Sequence, residues 1–263
     1  MNVWSSADQW MERRQVLTGR TVGFVPTMGA LHRGHASLIE RCRVENEVVV
    51  VSLFVNPSQF NDSADLLRYP QTPQEDLALL RELGVDEVFS PNVSELYPNG
   101  YKFRVECDAV NNVMEGLHRP GFLQGVMTVV LKLLNIIRAN RAYFGEKDYQ
   151  QLRVVTEMAT DFFIPTEIIA CPTIRETSGL AESSRNRLLS AEARKKAAAL
   201  YRILTEADSA GRARALLEEL GFAVEYVEEH WGRRFAAVFL GGVRLIDNVP
   251  CCETPSSSVA QGL

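Results

Sequence analysis

The run Val48 to Val55, inside "EVVVVSLFVNP", constrains this chain more than any other stretch. It is nearly continuous in apolar, β-branched residues and lacks polar alternation. Such a run marks a strand buried on both faces, and strands of that kind belong to parallel sheets covered by helices. The flanking sequence agrees. "TVGFVP" (Thr21 to Pro26) is a short apolar strand stopped by proline. "HASLIERCRVEN" between the two reads as a helix with Leu38, Ile39 and Cys42 as its buried stripe. Strand, helix and strand with such apolar strands make a βαβ unit.

The pattern continues. "PQEDLALLRELG" predicts a helix ended by Gly84, and "VDEVFSP" the strand after it. "GVMTVVLKLLNIIRAN" predicts a long, very apolar helix and "RAYFG" a strand. "DYQQLRVVTEMATDF" predicts a helix with Asp148 as its N-cap, and "TEIIACP" the last strand of this half. The composition changes after Arg175. "SAEARKKAAALYRILTEADSAGRARALLEELG" is helical and only half apolar, and "FAVEYVEE", "RRFAAVFLGG" and "VRLIDN" follow as short alternating strands. The expectation is an α/β domain with a parallel sheet over residues 1–175 and a smaller α+β domain over 176–252. A polar tail, 253–263, is expected to be disordered.

Bulk properties exclude several classes. With 263 residues the chain has ample length for a core, and its net charge of −5 gives no global pull towards nucleic acid or an anionic membrane. Any anion must therefore be held by a local cluster of positive groups. The cysteines (Cys42, Cys107, Cys171, Cys251 and Cys252) are odd in number and form no C-x-x-C. That argues against a disulfide framework or a zinc site and for a reducing cytoplasm. The N-terminus has early charges and no apolar signal region, and no apolar run approaches the roughly 20 residues needed to cross a bilayer.

In open α/β sheets ligands bind at the carboxyl ends of the strands. "PTMGALHRGH", "NPSQF", "GEKDYQQ" and "PTIRETSGLAESSRN" each follow a predicted apolar strand, so they are expected to converge on one crevice. A helix starting near Gly34 or His35 offers unpaired N–H groups to an anion, with His32 and His35 at that end. Two solvent-facing loop histidines are the alternative, and so is zinc, although no third or fourth ligand lies nearby in sequence. Lys147 sits at a strand end, where a solvated charged cap is the competing reading. Ser183, Ser184 and Arg185 lie in a glycine-preceded loop that also reads as an ordinary helix cap. Together these residues suit a nucleoside triphosphate held without a P-loop, since no G-x-x-x-x-G-K-[ST] occurs. Gln59 and Gln151 are neutral amides suited to a small hydroxylated or carboxylated substrate, or else are surface amides.

"FVPTMGALHRGH", "VVVSLFVNPSQF", "RYPQTPQEDLALL", "ELYPNG", "RPGFLQGVMTVVLKLLNII", "FGEKDYQQL" and "GLAESSRN" occur in an order and spacing that resemble the pantoate–β-alanine ligase family. The resemblance runs from about Thr21 to Asn186, weakens over Lys195 to Glu229 and resumes at Arg244 to Asn248. H-x-G-H alone is less specific, because it marks a wider nucleotidyltransferase superfamily. The resemblance implies a Rossmann-like N-terminal domain with helices on both faces of its sheet, a smaller C-terminal lid and a homodimer. It implies ATP-dependent condensation of pantoate with β-alanine through a pantoyl adenylate, with Mg²⁺ accompanying the ATP.

It also implies residue roles. His32 and His35 contact phosphate, with His35 as a proton donor during adenylation. Lys147 and Arg185 neutralise phosphate charge, and Ser183 and Ser184 donate hydrogen bonds. Pro26, Met28, Gly29, Gly145, Glu146, Asp148, Ile174 and the backbone of Glu182 complete the ATP site. Met28, Asn56, Gln59, Tyr69, Val129, Val130 and Gln151 form the pantoate and β-alanine site. Glu75 and Asp76 are candidate Mg²⁺ ligands, with a helix N-terminal charge as their other role. The chain departs from the family pattern at Glu182, where Leu or Met is common, and at Gln71 and Phe122-Leu123-Gln124, where an arginine is common. A carboxylate at 182 is expected either to weaken ATP use or to point into water with only its backbone at the site. Two other readings compete: a nucleotidyltransferase that stops at the nucleotide-linked product, and a catalytically impaired relative.

Overall fold

The computed structural model describes residues 1–61 and 63–251, with only the backbone described at Ser63 and Ala64; the predicted tail lies outside the described residues. The chain divides into two compact units, one of Met1–Glu146 with Gln150–Pro172, the other of Lys147–Tyr149 with Thr173 onward.

The first unit is built on a six-stranded parallel sheet in the order β1-β4-β3-β2-β5-β6. The strands are β1 (Asn2–Trp4), β2 (Val22–Thr27), β3 (Val48–Leu53), β4 (Glu87–Phe89), β5 (Arg141–Gly145) and β6 (Glu167–Cys171). β3 holds Val48 to Ser52 fully buried, as the apolar run predicts, but ends at Leu53 rather than Val55. Alternation sends Val25, Val49, Val51 and Val88 to one face. There they pack with Leu38, Ile39 and Cys42 of the Arg33–Glu45 helix and Leu80 of the Pro73–Glu82 helix. The Phe122–Ile137 helix packs on β2 and against the Ala7–Val16 helix, which completes a sheet with helices on both faces. Val126, Leu133, Leu134 and Ile137 are among its buried side chains, each worth about 1.5–3 kcal/mol relative to exposure.

The chain winds outward from β2 through β3 to β4, then crosses back to place β5 and β6 on the other side of β2. The point where the order reverses, between β2 and β5, is where open α/β sheets leave a crevice for ligands. β1 and the Ala7–Val16 helix were not expected. β1 is a three-residue edge strand, and only Trp10 of the helix is buried, so neither leaves a periodic apolar signal.

The second unit carries a three-stranded antiparallel sheet of β7 (Ala223–His230), β8 (Arg233–Leu240) and β9 (Val243–Pro250). The predicted long helical stretch is broken into Ala191–Ala197, Ala199–Glu206 and Ala210–Glu219, whose Leu200, Leu204 and Leu217 pack with Phe222, Val238 and Leu245. The boundary falls three residues before the predicted one. Ile174 accepts a hydrogen bond from the Glu182 N–H at 2.9 Å, and Arg175 is bound to Asp247, so both belong with the C-terminal residues.

Candidate active site

The segment after β2 turns through Gly29 and Ala30, both with positive φ (78° and 49°), and enters the Arg33–Glu45 helix with His32 as N-cap. The cap is reciprocal. His32 Nδ1 accepts from the Gly34 N–H at 3.1 Å, and His35 Nδ1 accepts from the His32 N–H at 3.4 Å. The two rings lie 4.1 Å apart between centroids. A neutral imidazole that accepts at Nδ1 carries its proton on Nε2, so this cap selects the tautomer that donates from the far side of each ring. The helix N-terminus and two imidazole donors therefore share one end of the helix, an arrangement suited to phosphate oxygens.

The residues after β3 form a buried polar network. Asn56 Nδ2 donates to Gln59 Oε1 at 3.1 Å and to the Gly125 carbonyl at 3.2 Å. Gln59 Nε2 donates to Met28 Sδ at 2.9 Å. Tyr97 donates its hydroxyl to Asn56 Oδ1 at 2.9 Å, and burial pushes its phenol above the ordinary range, so it serves as a neutral donor. Gly125 lets the long helix come this close, because a Cβ there would sit 2.4 Å from the Ser58 carbonyl oxygen. Val129 and Val130 are buried on the same helix. Tyr69 packs edge-on to Phe60 at 5.5 Å. Arg119 lies over the Phe122 ring at 3.7 Å and donates to the Gln59 carbonyl at 3.3 Å, so a guanidinium sits beside Gln59 despite the departure at Phe122-Leu123-Gln124.

Gln151 is half-buried on the Tyr149–Asp161 helix, while its neighbour Gln150 is the buried amide that braces Val113 and Glu115. Asp148 is not the cap of that helix as predicted. It ends a 3-10 turn, Glu146–Asp148, with its carboxylate 3.6 Å from Lys147 Nζ. This turn directly follows Gly145 at the end of β5.

In the second unit Ser183 caps the Ser184–Leu188 turn, its Oγ accepting from the Arg185 N–H at 3.3 Å. A hydroxyl that accepts here still has its proton to donate. Asn186 anchors the loop from behind, donating to Glu176 Oε1 and to the Ala181 carbonyl, both at 3.0 Å. Glu176 also pairs with Arg194 at 2.9 Å. That pairing, with a smaller contribution from Glu182, raises the Arg194 pKa, so the Glu182 carboxylate has a cation in its surroundings.

Glu75 and Asp76 do not fit a magnesium site. Asp76 is buried with its oxygens on the N–H groups of Ala30 and Leu31, donors that disfavour a cation, and Glu75 is exposed. Among the described residues no group of three or more His, Cys, Asp or Glu could hold a metal ion. Residue type offered both carboxylates either to a cation or to the N-terminal end of their helix; both lie in its first turn, and the backbone of a distant loop takes Asp76.

The family model described as pantoate-beta-alanine ligase matches residues 2–250. The chain belongs to the pantoate–β-alanine ligase family. It is 50% identical over 229 residues to the pantothenate synthetase of Bdellovibrio bacteriovorus, covering 87% of this chain and 91% of that one. It is 47% identical over 249 residues to that of Legionella pneumophila strain Corby, covering 94% and 99%. Among solved structures, the pantoate-beta-alanine ligase of Francisella tularensis superposes with a TM-score of 0.91 at 42% identity, over 95% of this chain and 97% of that one. That protein was crystallised with β-γ ATP and β-alanine. The pantothenate synthetase of Thermus thermophilus superposes at 0.89 with 42% identity, over 96% and 100%. As a member of this family the chain is an enzyme, a ligase joining pantoate to β-alanine. Sequence reasoning did not single out Tyr97 or Arg119, although each lies in a motif quoted for the resemblance or next to one; their hydroxyl and guanidinium meet Asn56 and Gln59 only in the fold.

Proposed function

We propose that this ATP-dependent ligation of pantoate to β-alanine passes through a pantoyl adenylate. A pantoate carboxylate oxygen attacks the α-phosphorus as the bond to pyrophosphate breaks. The β-alanine amine then attacks the acyl carbon, and AMP and a proton leave as pantothenate forms. The chain forms no covalent intermediate, because the activated acyl group rides on AMP.

The observation that carries this reading is the reciprocal histidine cap. Two anions must meet while charge builds on the bridging oxygen of the leaving group, and preorganised donors are worth most at such a point. His35 donates from Nε2 to that oxygen and His32 to a neighbouring phosphate oxygen. Lys147 and Arg185 neutralise phosphate charge, and Ser183 and Ser184 donate to it. Pro26, Met28, Gly29, Gly145, Glu146, Asp148, Ile174 and the Glu182 backbone line the nucleotide. Asn56, Gln59 and Gln151 hold pantoate, with Met28, Tyr69, Val129 and Val130 shaping its pocket. Magnesium arrives with the ATP phosphates as part of the substrate. The enzyme works as a homodimer in the cytoplasm; no helix among the described residues is long and apolar enough to cross a membrane.

The test is AMP release, measured with each substrate omitted in turn. Pyrophosphate exchange that requires pantoate, with AMP release that requires β-alanine as well, is expected. Release of a stable nucleotide-linked product would favour a nucleotidyltransferase instead. His35→Ala is expected to lose several orders of magnitude of kcat, as loss of a transition-state donor does; a loss of only a few-fold would reduce His35 to binding.

A further inference from the structure

The "RLIDN" segment, Arg244 to Asn248, is where the family resemblance resumes after a long weak stretch, and no step of the reaction above uses it. It lies in β9, and Asn248 near its end is 2% exposed. We propose that Asn248 is a positioning residue for Lys147, which rests on the reading of Lys147 as a phosphate-binding cation.

The contacts are specific. Asn248 Nδ2 donates to the Lys147 carbonyl at 2.9 Å, and Asn248 Oδ1 accepts from Arg233 Nε at 2.6 Å. The amide is held from both ends, which fixes its orientation and lets only a side chain with one donor and one acceptor serve. The Asn248 N–H donates to Asp247 Oδ1 at 2.8 Å. Asp247 is itself gripped by both terminal nitrogens of Arg175, at 2.7 and 2.9 Å, and Arg175 lies over the Tyr201 ring at 3.8 Å. Arg233 stacks on Tyr149, two residues after Lys147, at 4.6 Å, and Tyr149 packs near Phe235 at 6.1 Å.

The three residues Lys147–Tyr149 therefore belong by their contacts with β8 and β9, although they connect β5 to the helix that follows it. Asn248 reaches Lys147 through its backbone carbonyl, which ties that carbonyl to β9 and uses none of the donors of the ammonium, 3.6 Å from Asp148 Oδ1. A lysine side chain has several rotatable bonds, and anchoring its carbonyl narrows where Nζ can reach. The segment that looked like the distant end of the chain acts as the seat of a cation in the reaction.

A double-mutant cycle on the full-length enzyme tests this, since Lys147→Ala removes the ammonium but keeps the carbonyl that Asn248 holds. Lys147→Ala alone is expected to lose at least a hundredfold in the rate of pantoate-dependent pyrophosphate exchange. Asn248→Ala is expected to lose about tenfold or more in the wild-type background, with the pantoate KM changed less than twofold. In the Lys147→Ala background it is expected to lose less than twofold. Equal losses in both backgrounds would overturn the proposal and leave Asn248 a general structural residue. If Lys147→Ala keeps near-wild-type exchange, the reading of Lys147 fails instead, a different result from additivity. Should Asn248→Ala fail to unfold cooperatively, the isosteric Asn248→Asp runs the same cycle. It keeps the acceptor for Arg233 and sets an oxygen against the Lys147 carbonyl, so the same loss confined to the wild-type background is expected.

Discussion

Asp76 holds Ala30 in place: its Oδ2 accepts the Ala30 N–H at 2.9 Å while Oδ1 accepts the next one, from Leu31, at 2.8 Å. Ala30 is a non-glycine residue with φ of 49°, and that conformation costs about 1–3 kcal/mol. Two hydrogen bonds to a carboxylate, each worth about 1.5–3 kcal/mol, outweigh it. Thr72 Oγ1 adds a third donor at 3.2 Å. The strained turn is thus clamped immediately before His32.

Asp76→Asn replaces one acceptor with a donor that faces an N–H. It is expected to lower kcat about tenfold or more through misplacement of His32 and His35, with a lower Tm. Asp76→Ala is expected to be worse on both counts. Unchanged kcat in Asp76→Asn, measured by AMP release, would show that the clamp does not set the histidine positions.

His32 caps the helix and in the proposed mechanism also donates to phosphate, and one substitution separates the two tasks. Asparagine is a good N-cap and restores an acceptor for the first-turn N–H groups, whereas alanine costs about 0.5–2 kcal/mol of stability. His32→Asn is therefore expected to keep the wild-type Tm within a degree or two yet lose most of its activity. His32→Ala loses both. Recovery of full activity in His32→Asn would make the cap the whole role of this residue.

Much of this architecture was legible because burial on both faces writes a direct signal. Val48 to Ser52 had to be a central strand, and Leu38, Ile39 and Cys42 had to face it. β1 was not legible because polar contacts secure it: the buried Glu87 carboxylate accepts from Asn2 Nδ2 at 3.1 Å and Trp4 Nε1 at 2.8 Å. At the site, His32 and His35 stood out through their type and spacing at a helix start. The roles of Asp76, read in sequence as a metal ligand or a helix N-terminal charge, and of Asn248 did not, since their partners are backbone atoms of Ala30, Leu31 and Lys147, which no residue type announces. The Lys147–Tyr149 segment reads as a helix start in sequence and belongs with strands a hundred residues away.

Glu182 departs from the family pattern, but its N–H donates to the Ile174 carbonyl and its carboxylate adds to the field that raises Arg194. Arg194 offsets part of that charge. Glu182→Leu is expected to change the ATP KM and kcat by less than about twofold. A larger gain in either would mean that the carboxylate repels the nucleotide.

The homodimer proposed above has a candidate seam in residues 101–107. This extended segment belongs to no sheet, and its Phe103 is 86% exposed. Paired antiparallel with a second copy about Arg104, it sets Lys102 opposite Glu106 twice and Phe103 beside Val105, a self-complementary edge. Phe103→Asp is expected to shift the protein from dimer to monomer in sedimentation velocity. A dimer that persists at the same concentration would exclude this seam.

The thiols separate by burial. Burial pushes the Cys42 thiol from an ordinary 9.0 up to about 12, and raises Cys171 as well. Cys107 and Cys251 are only half-buried. Only the thiolate reacts with alkylating agents, so at pH 8 the native enzyme is expected to take iodoacetamide at Cys107 and Cys251 but not at Cys42 or Cys171. The folded state holds the Cys42 proton more tightly than the unfolded chain does. Its contribution to stability is therefore intact below pH 9 and is lost as the pH rises towards 12. Peptide mapping after labelling reads the first expectation, and thermal melts across that range read the second. Labelling of Cys42 at pH 8 as fast as Cys107 would mean that the helix covering β2 opens far more readily than its packing against Val25 and Val49 implies.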